Sequence, residues 1–362
     1  MSEAGVKTGE ILFVKCVKGG IPNRDPLRES DARRLFGPDD GRISLSDVSI
    51  KRDVRDYVLA RFDEGGAGKD RFVFVRKEFS ADGSVLLGRD GLAQAILEKV
   101  RAGRPETPAG GTPARPARRG RGRTTESGED DEGDLLKAAF DMRVFGAVFS
   151  VKGKSFNRVG PVQFGWAHSL HPVETKYVQG TVCMPSKDAP PPRTETDQKD
   201  KDEEKGKTQG TIWSMYQLAF AAFAMPGVIS APIAAATGMS AADIELLLEG
   251  LWKGTLARQA RGRGIQQPLL LVHVEYKDPF FRIGFLEEGV RLEPGRDQAG
   301  RDRWLGGQSP TDLADVTVDL NDLAQTLDRH KAEVAKVRVW VDPKLKLSGS
   351  IPGEVGTWPA SA

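Results

Sequence analysis

The stretch VGPVQFGWAHSLHPVETKYVQG (Val159–Gly180) decides how this chain reads. It follows a β-rich run, DMRVFGAVFSV (Asp141–Val151), and precedes a charged, proline-containing break. Gly160-Pro161 is turn chemistry, because proline presets φ and glycine adopts backbone angles closed to other residues. Beyond the turn, Gln163, Trp166, His168, Ser169 and His171 are interleaved with Phe164 and Leu170. Hydrogen-bonding groups mixed with aromatic faces suit a surface that stacks and hydrogen-bonds a single-stranded nucleic acid. On composition alone, the simpler reading is an ordinary strand and turn with two incidental histidines.

Outward from this stretch, 362 residues are enough to bury a large core, as one big domain with insertions or as two domains. A hydrophobic fraction of 39% and a mean hydropathy of −0.40 imply sizeable segments that join no core. The net charge is only +2, from 53 Lys and Arg against 51 Asp and Glu, so total charge does not announce a nucleic-acid partner. The distribution is more telling, with arginines in clusters and much of the acid in two polar tracts. Cys16 and Cys183 are too few for a disulfide framework, and no zinc spacing is present. The N-terminal stretch lacks a basic region followed by an apolar one, and the most apolar segment, Ala219–Ala236, is broken by Pro226 and Pro232. A soluble, reducing, cytoplasmic setting with no membrane partner is the expectation.

Glu10–Lys18 is rich in β-formers, ends at Gly19-Gly20 and predicts a buried first strand. Ser46–Phe62 predicts a helix whose apolar face is Ile50, Val54, Tyr57 and Val58, with Lys51, Arg52 and Arg55 on an adjacent arc. Arg71–Phe79 reads as a second strand and Gly91–Val100 as a short helix. Arg101–Asp134 has a basic half, then an acidic half; Gly, Pro and charge predict disorder there. Ser186–Gln209 is a second such tract, between a strand at Tyr177–Met184 and a helical segment beginning near Trp213, and reads as the mobile tip of a protrusion. Ser240–Trp252 is the clearest helix, with Ser240 and Asp243 as a capping box and Ile244, Leu247, Leu248, Leu251 and Trp252 as a core stripe. Leu269–Glu275 and Val337–Val341 read as closing strands. This order suits an α+β ferredoxin-like (RRM-like) core carrying large insertions.

Several residue groups carry candidate chemistry. Lys51, Arg52 and Arg55 form either a solvated helix face, partly neutralised by Asp53 and Asp56, or a clamp on successive phosphates. Arg258, Arg261 and Arg263, interleaved with glycine, form either a solvated loop or an adaptable backbone-binding one. Asn23, Arg24 and Asp25 occupy a turn bounded by Gly and Pro. No phosphate-binding loop, zinc-protease helix, nucleophile elbow or dinucleotide fingerprint is present, and the four histidines lack metal spacing. No cofactor, metal or catalytic residue is expected.

The quoted stretch resembles the GPVQF–W–SLH–V–QGTV signature of the backbone subunit of type I CRISPR Cascade complexes, a branch of the RAMP superfamily, closest to the type I-B subfamily (Csh-type). Four further blocks resemble it in the same order. They are Gly19–Pro26 (GGIPNRDP), Ser46–Val58, Met142–Ser150 (MRVFGAVFS), and Thr237–Thr255 with Gln267–Tyr276. The resemblance implies a palm core with a finger insertion at roughly 63–140 and a thumb at roughly 174–212. It also implies copies polymerising along a guide RNA, partnered by target DNA and other Cascade subunits, with no enzymatic activity. The loop at Asn23 and Arg24 would lie near the RNA, although the family usually has glycine where Arg24 stands. Lys51 and Arg52 match the family's basic pair; His168 stands where arginine is common; Arg261-Gly262-Arg263 replaces an Arg-Ser-Lys pattern. Arg55, Arg158, Gln163, Met184 and Arg258 complete the expected RNA-binding set. Type III relatives cleave RNA with a loop aspartate, which makes Asp25 the one residue on which an endoribonuclease reading would rest.

Overall fold

The computed structural model describes residues 5–37, 39–102, 127–151, 154–182, 212–305 and 308–358. Strand β1 (Gly9–Lys18) is buried along all but its last residue, as a central strand covered on both faces must be. Alternate side chains serve different cores: Ile11, Phe13 and Val17 join one cluster, and Leu12, Val14 and Cys16 another. β1 pairs antiparallel with β10 (Ile265–Tyr276) on one side and with β9 (Phe220–Ile229) on the other. Beyond β9 lie β5 (Val162–Phe164), β6 (Ala167–Ser169) and β2 (Ser44–Leu45). Beyond β10 lie β13 (Val334–Val341) and β15 (Glu354–Val355). Among the described residues this sheet has eight strands.

Helices α1 (Asp47–Arg61) and α6 (Ala241–Ala257) cover the first face. They approach closely because α6 carries Gly254 where any side chain would collide with the Asp53 carbonyl, and Gly250 against Val54. Helix α6 starts as the sequence predicts, with the Ser240–Asp243 capping box formed. The second face is covered by a smaller three-stranded sheet, β11 (Arg291–Pro294), β12 (Val316–Asp319) and β14 (Leu347–Ser348), and by α7 (Asn321–Arg329).

The chain between α1 and β5 has a core of its own. Phe72, Phe74, Leu92, Ile96, Leu97, Leu135, Met142 and Phe156 cluster together, drawn from the irregular segment that holds Phe72 and Phe74 and from α2 (Arg89–Ala102), α3 (Ser127–Ala138), α4 (Phe140–Phe145) and the hairpin β3 (Gly146–Val151) with β4 (Lys154–Val159). It is tied to the main core by Arg143, which donates to Asp243 at 2.9 Å, to the Asp70 carbonyl at 2.8 Å and to the carbonyls of Leu136 and Lys137. Burial works to raise Asp243, yet hydrogen bonds from Arg143 and Ser240 hold it below the usual aspartate value.

Four expectations are corrected. Arg71–Phe79 forms no strand, because Phe72 and Phe74 point into that separate cluster. Met142–Phe145 belongs to a helix, and the chain turns into β3 only at Gly146. The segment from Trp213 is strand β8 (Ile212–Leu218), paired with β7 (Thr175–Thr181), rather than helix. Within the tract 101–134, the ends 101–102 and 127–134 are helical. Residues 103–126, and the Ser186–Gln209 tract, lie outside the described residues. Among the described residues no single helix is long and apolar enough to cross a membrane.

His273 on β10 is buried, and its Nδ1 accepts from Arg338 Nη2 at 3.1 Å. Burial, reinforced by the Arg338 and Lys336 charges, pushes its pKa from 6.5 down to about 3. An unfolded chain takes up a proton across that interval while the folded chain does not. Stability from this group is therefore complete above the unfolded value and is lost as pH falls toward the folded one. Urea titrations should show unfolding free energy declining below a pH of about 6.5. His273→Gln should remove up to about 1.4 kcal/mol per pH unit of that slope. An unchanged slope in the variant would exclude His273 as its source.

Candidate nucleic-acid interface

The predicted basic groups are spread along the sheet: Arg24, Arg261 and Arg263 lie where β1 finishes and β10 starts, whereas Gln163, which Lys51 reaches, is level with the start of β1 through Val228. The N-terminus of α1 is fixed by Asn23, whose Oδ1 accepts from both the Ser46 N–H and the Ser46 hydroxyl at 2.8 Å. Asn23 is thus an anchor for the helix that carries the basic arc.

On that arc, Lys51 Nζ donates to Asp47 at 2.9 Å and reaches Gln163 Oε1 at 3.5 Å, so two predicted residues meet. Gln163 itself donates to the Gly160 carbonyl at 2.9 Å. Arg52 pairs with Asp56 at 2.6 Å. Arg55 Nε donates to the buried Asp141 at 2.8 Å, whose two oxygens also accept from the N–H groups of Phe74 and Val75. The Phe145 ring lies 5.7 Å from Lys51 Nζ and 5.2 Å from the Arg55 guanidinium carbon, within cation–π range.

The predicted neutralising role of Asp53 on this arc is corrected. Asp53 faces inward, fully buried, and is shared by three cations. Lys15 Nζ donates to its Oδ2 at 3.0 Å; Arg258 and Arg263 donate to its Oδ1 at 2.7 and 3.4 Å. Lys15 also donates to Gln266 Oε1 at 2.9 Å. Burial pushes the Lys15 pKa down, against the upward pull of Asp53. The three arginines of the 258–263 loop are therefore divided. Arg258 and Arg263 turn in to Asp53, while Arg261 is exposed, its guanidinium carbon 3.7 Å from the centroid of the Trp213 ring.

Arg24 Nη2 donates to the Gly262 carbonyl at 3.1 Å and approaches Met215 Sδ at 3.8 Å, rather than pairing with its neighbour Asp25. Asp25 Oδ1 accepts from the Leu27 N–H at 3.0 Å, a turn contact. His168 Nδ1 lies 3.0 Å from Ser44 Oγ, and its ring packs 4.5 Å from Phe36, over which Arg42 stands at 4.1 Å. Burial and the Arg42 charge hold the His168 pKa below its ordinary value, so the ring is neutral at pH 7. Arg158 pairs with Glu132 at 2.7 Å, apart from the other groups in the β3–β4 hairpin. Met184 lies outside the described residues.

Sequence reasoning missed Lys15, Phe36, Arg42, Phe145, Trp213 and Met215. Trp213 alone had a local signal, as an aromatic beside a charged tract; the others become visible only through partners distant in sequence. Among the described residues no group of three His, Cys, Asp or Glu side chains converges as metal ligands would.

A family model described as CRISPR-associated protein Cas7 matches residues 7–321. A CRISPR-associated protein Cas7 of Haloferax volcanii is 25% identical over 367 residues, spanning 93% of this chain and 88% of that protein. A chain of a CRISPR RNA-guided surveillance complex described as pre-nicking superposes with a TM-score of 0.50 at 15% identity. That match covers 95% of this chain and 97% of the other, and so the two share a fold. A chain of another CRISPR RNA-guided surveillance complex gives a TM-score of 0.43 at 12% identity, with 95% of each chain covered.

Removing Asp53 would leave Lys15 buried without its counter-charge. Asp53→Ala should lower unfolding free energy by about 3–5 kcal/mol in urea titrations. Adding Lys15→Met should recover a large part of that stability, because the uncompensated charge goes with it. A decrease below about 1 kcal/mol in the single variant would show that the pair behaves like a surface ion pair.

Proposed function

Because the chain belongs to the CRISPR-associated protein Cas7 family, we propose that it is the CRISPR RNA-binding backbone subunit of a type I Cascade complex. Copies polymerise along one guide RNA, beside other Cascade subunits, and leave the guide's bases available for pairing with target DNA. The observation that carries this reading is the family match over residues 7–321. Recognition of this kind reads backbone and shape, and delegates sequence to base pairing.

The core reads as a ferredoxin-like palm. Its support is the antiparallel order β10–β1–β9–β5/β6 with α1 and α6 on one face. The finger is the insertion of roughly 63–140 with its separate cluster, and the thumb is the protrusion of roughly 174–212 that starts with the β7–β8 ribbon. The type I-B assignment rests on the sequence blocks alone. Lys51, Arg52, Gln163 and His168 form the RNA-facing set in this reading; Asn23, Arg55, Arg258 and Arg263 support it from behind.

The RNA set predicts a charge signature. Lys51→Ala combined with Arg52→Ala should weaken guide RNA binding for all sequences alike. Each phosphate that is no longer neutralised should lower the log–log salt slope by about 0.7 on a single strand. A folded double variant with unchanged affinity and slope would remove these residues from the interface.

The protein acts as a scaffold without cleaving RNA. Asp25, the residue a nuclease reading needs, is engaged in a turn through Leu27. Purified protein incubated with guide RNA, complementary RNA and Mg²⁺ or Mn²⁺ should leave both strands intact. Regular cuts that vanish in Asp25→Ala would establish the endoribonuclease instead.

A further inference from the structure

We propose that Arg261 and Trp213, with Arg24 and Met215, form a latch that sets the angle of the β7–β8 ribbon on the palm. Arg24 and Arg261 are then positioning residues rather than phosphate ligands. The inference rests on the RNA-backbone reading for its functional consequence, but the latch itself belongs to the chain alone.

Three observations converge. First, the ribbon has little to hold it up: β7 buries none of its residues fully, and β8 only Leu218. A two-stranded ribbon of this kind is marginal by itself, so its orientation must come from contacts at its base. Second, those contacts are specific to one face. Trp213 and Met215 lie on the same side of β8, because side chains alternate along a strand. Trp213 stands opposite Gly180 in the pairing. A side chain on Gly180 would collide with the indole, so the ring lies flat across β7. Its other side meets Arg261, whose guanidinium carbon is 3.7 Å from the ring centroid. Met215 Sδ receives Arg24 Nη2 at 3.8 Å and Gln217 Nε2 at 3.4 Å.

Third, the palm side of the latch is rigid. Arg261 and Arg263 begin and end one short turn, and Arg263 is pinned below by Asp53. The Gly262 carbonyl between them accepts from the Ile21 N–H at 3.1 Å and from Arg24 Nη2 at 3.1 Å. The Arg24 guanidinium lies so close that a side chain at 262 would displace it. A fixed turn thus presents a flat cation to a flat ring, and only a planar guanidinium can stack this way.

That last point separates the latch from a phosphate ligand. Lysine keeps the charge that a phosphate needs but cannot make the planar stack. In hydrogen exchange on the free chain, Trp213→Ala, Arg261→Ala and Arg261→Lys should all speed exchange of the β7–β8 amides, by about threefold to tenfold. The core amides of β1 and β10 should be unchanged. With guide RNA, Arg261→Lys should bind as weakly as Arg261→Ala, both with the wild-type salt slope, and Trp213→Ala should add nothing to Arg261→Ala. Wild-type exchange and wild-type affinity in Arg261→Lys, beside a reduced slope in Arg261→Ala, would overturn the latch and make Arg261 a phosphate ligand. Should the wild-type chain fail to bind guide RNA, the functional reading fails, while the exchange experiment still decides the latch.

Discussion

One buried carboxylate, Asp53 on α1, fixes two other pieces of chain that lie far from it in sequence. Lys15 comes from β1, Arg258 from the end of α6 and Arg263 from the turn before β10. Taking such charges out of water is costly, and their mutual attraction offsets that cost only in good geometry. The position of each partner is therefore tightly constrained. Gly254 lets α6 press against the Asp53 backbone, which brings the cations within reach. The turn at 261–263 is held from beneath, and the loop after β1 is then held to the turn through Ile21 and Arg24. The end of the sheet where β1 finishes and β10 starts inherits its shape from this interaction.

A second node sets the insertion that precedes β5. The block Met142–Ser150 contributes there as scaffold. Asp141 just before it binds the N–H groups of Phe74 and Val75 and the Arg55 side chain. Arg143 is shared among Asp243, Asp70, Leu136 and Lys137, an arrangement that suits its planar, five-donor group. Gly146 and Gly160 pass so closely that a side chain on either would collide with the other's backbone. The motif's residue types follow from where the insertion joins the main sheet.

Much of the main core was legible because its signals are local. β1 and α1 have the expected type and nearly the expected bounds, and α6 and β10 have the expected type but extend further, to Ala257 and from Ile265, since apolar periodicity and a capping box act within a few residues. Arg71–Phe79 shows why the rest was not. Its alternating apolar residues look like a strand, but no strand edge is presented to it, and Phe72 and Phe74 pack among helices instead. Trp213 reads as helix from its neighbours, whereas its partner strand lies beyond a long polar tract that hides the pairing. At the basic site the failure is of another kind. Arginine spacing could not tell which guanidinium faces outward, because the deciding acids, Asp53 and Asp141, lie on different elements.

The same distinction determines which cations an external phosphate chain can recruit. Lys51 and Arg52 are held by acids on their own helix, Asp47 and Asp56, each about 30% exposed. Solvent-screened pairs of this kind are worth about 0–1 kcal/mol, so a phosphate exchanges for the carboxylate at small cost. Arg258 and Arg263 are held by an acid with no exposure to water. Drawing either away would strand that carboxylate beside Lys15 and cost several kcal/mol, more than one phosphate returns. Burial of the partner, rather than the number of arginines, therefore decides which cations are available to a polyanion. A chain with a net charge of only +2 can in this way still offer two exchangeable cations on one helix face to a polyanion.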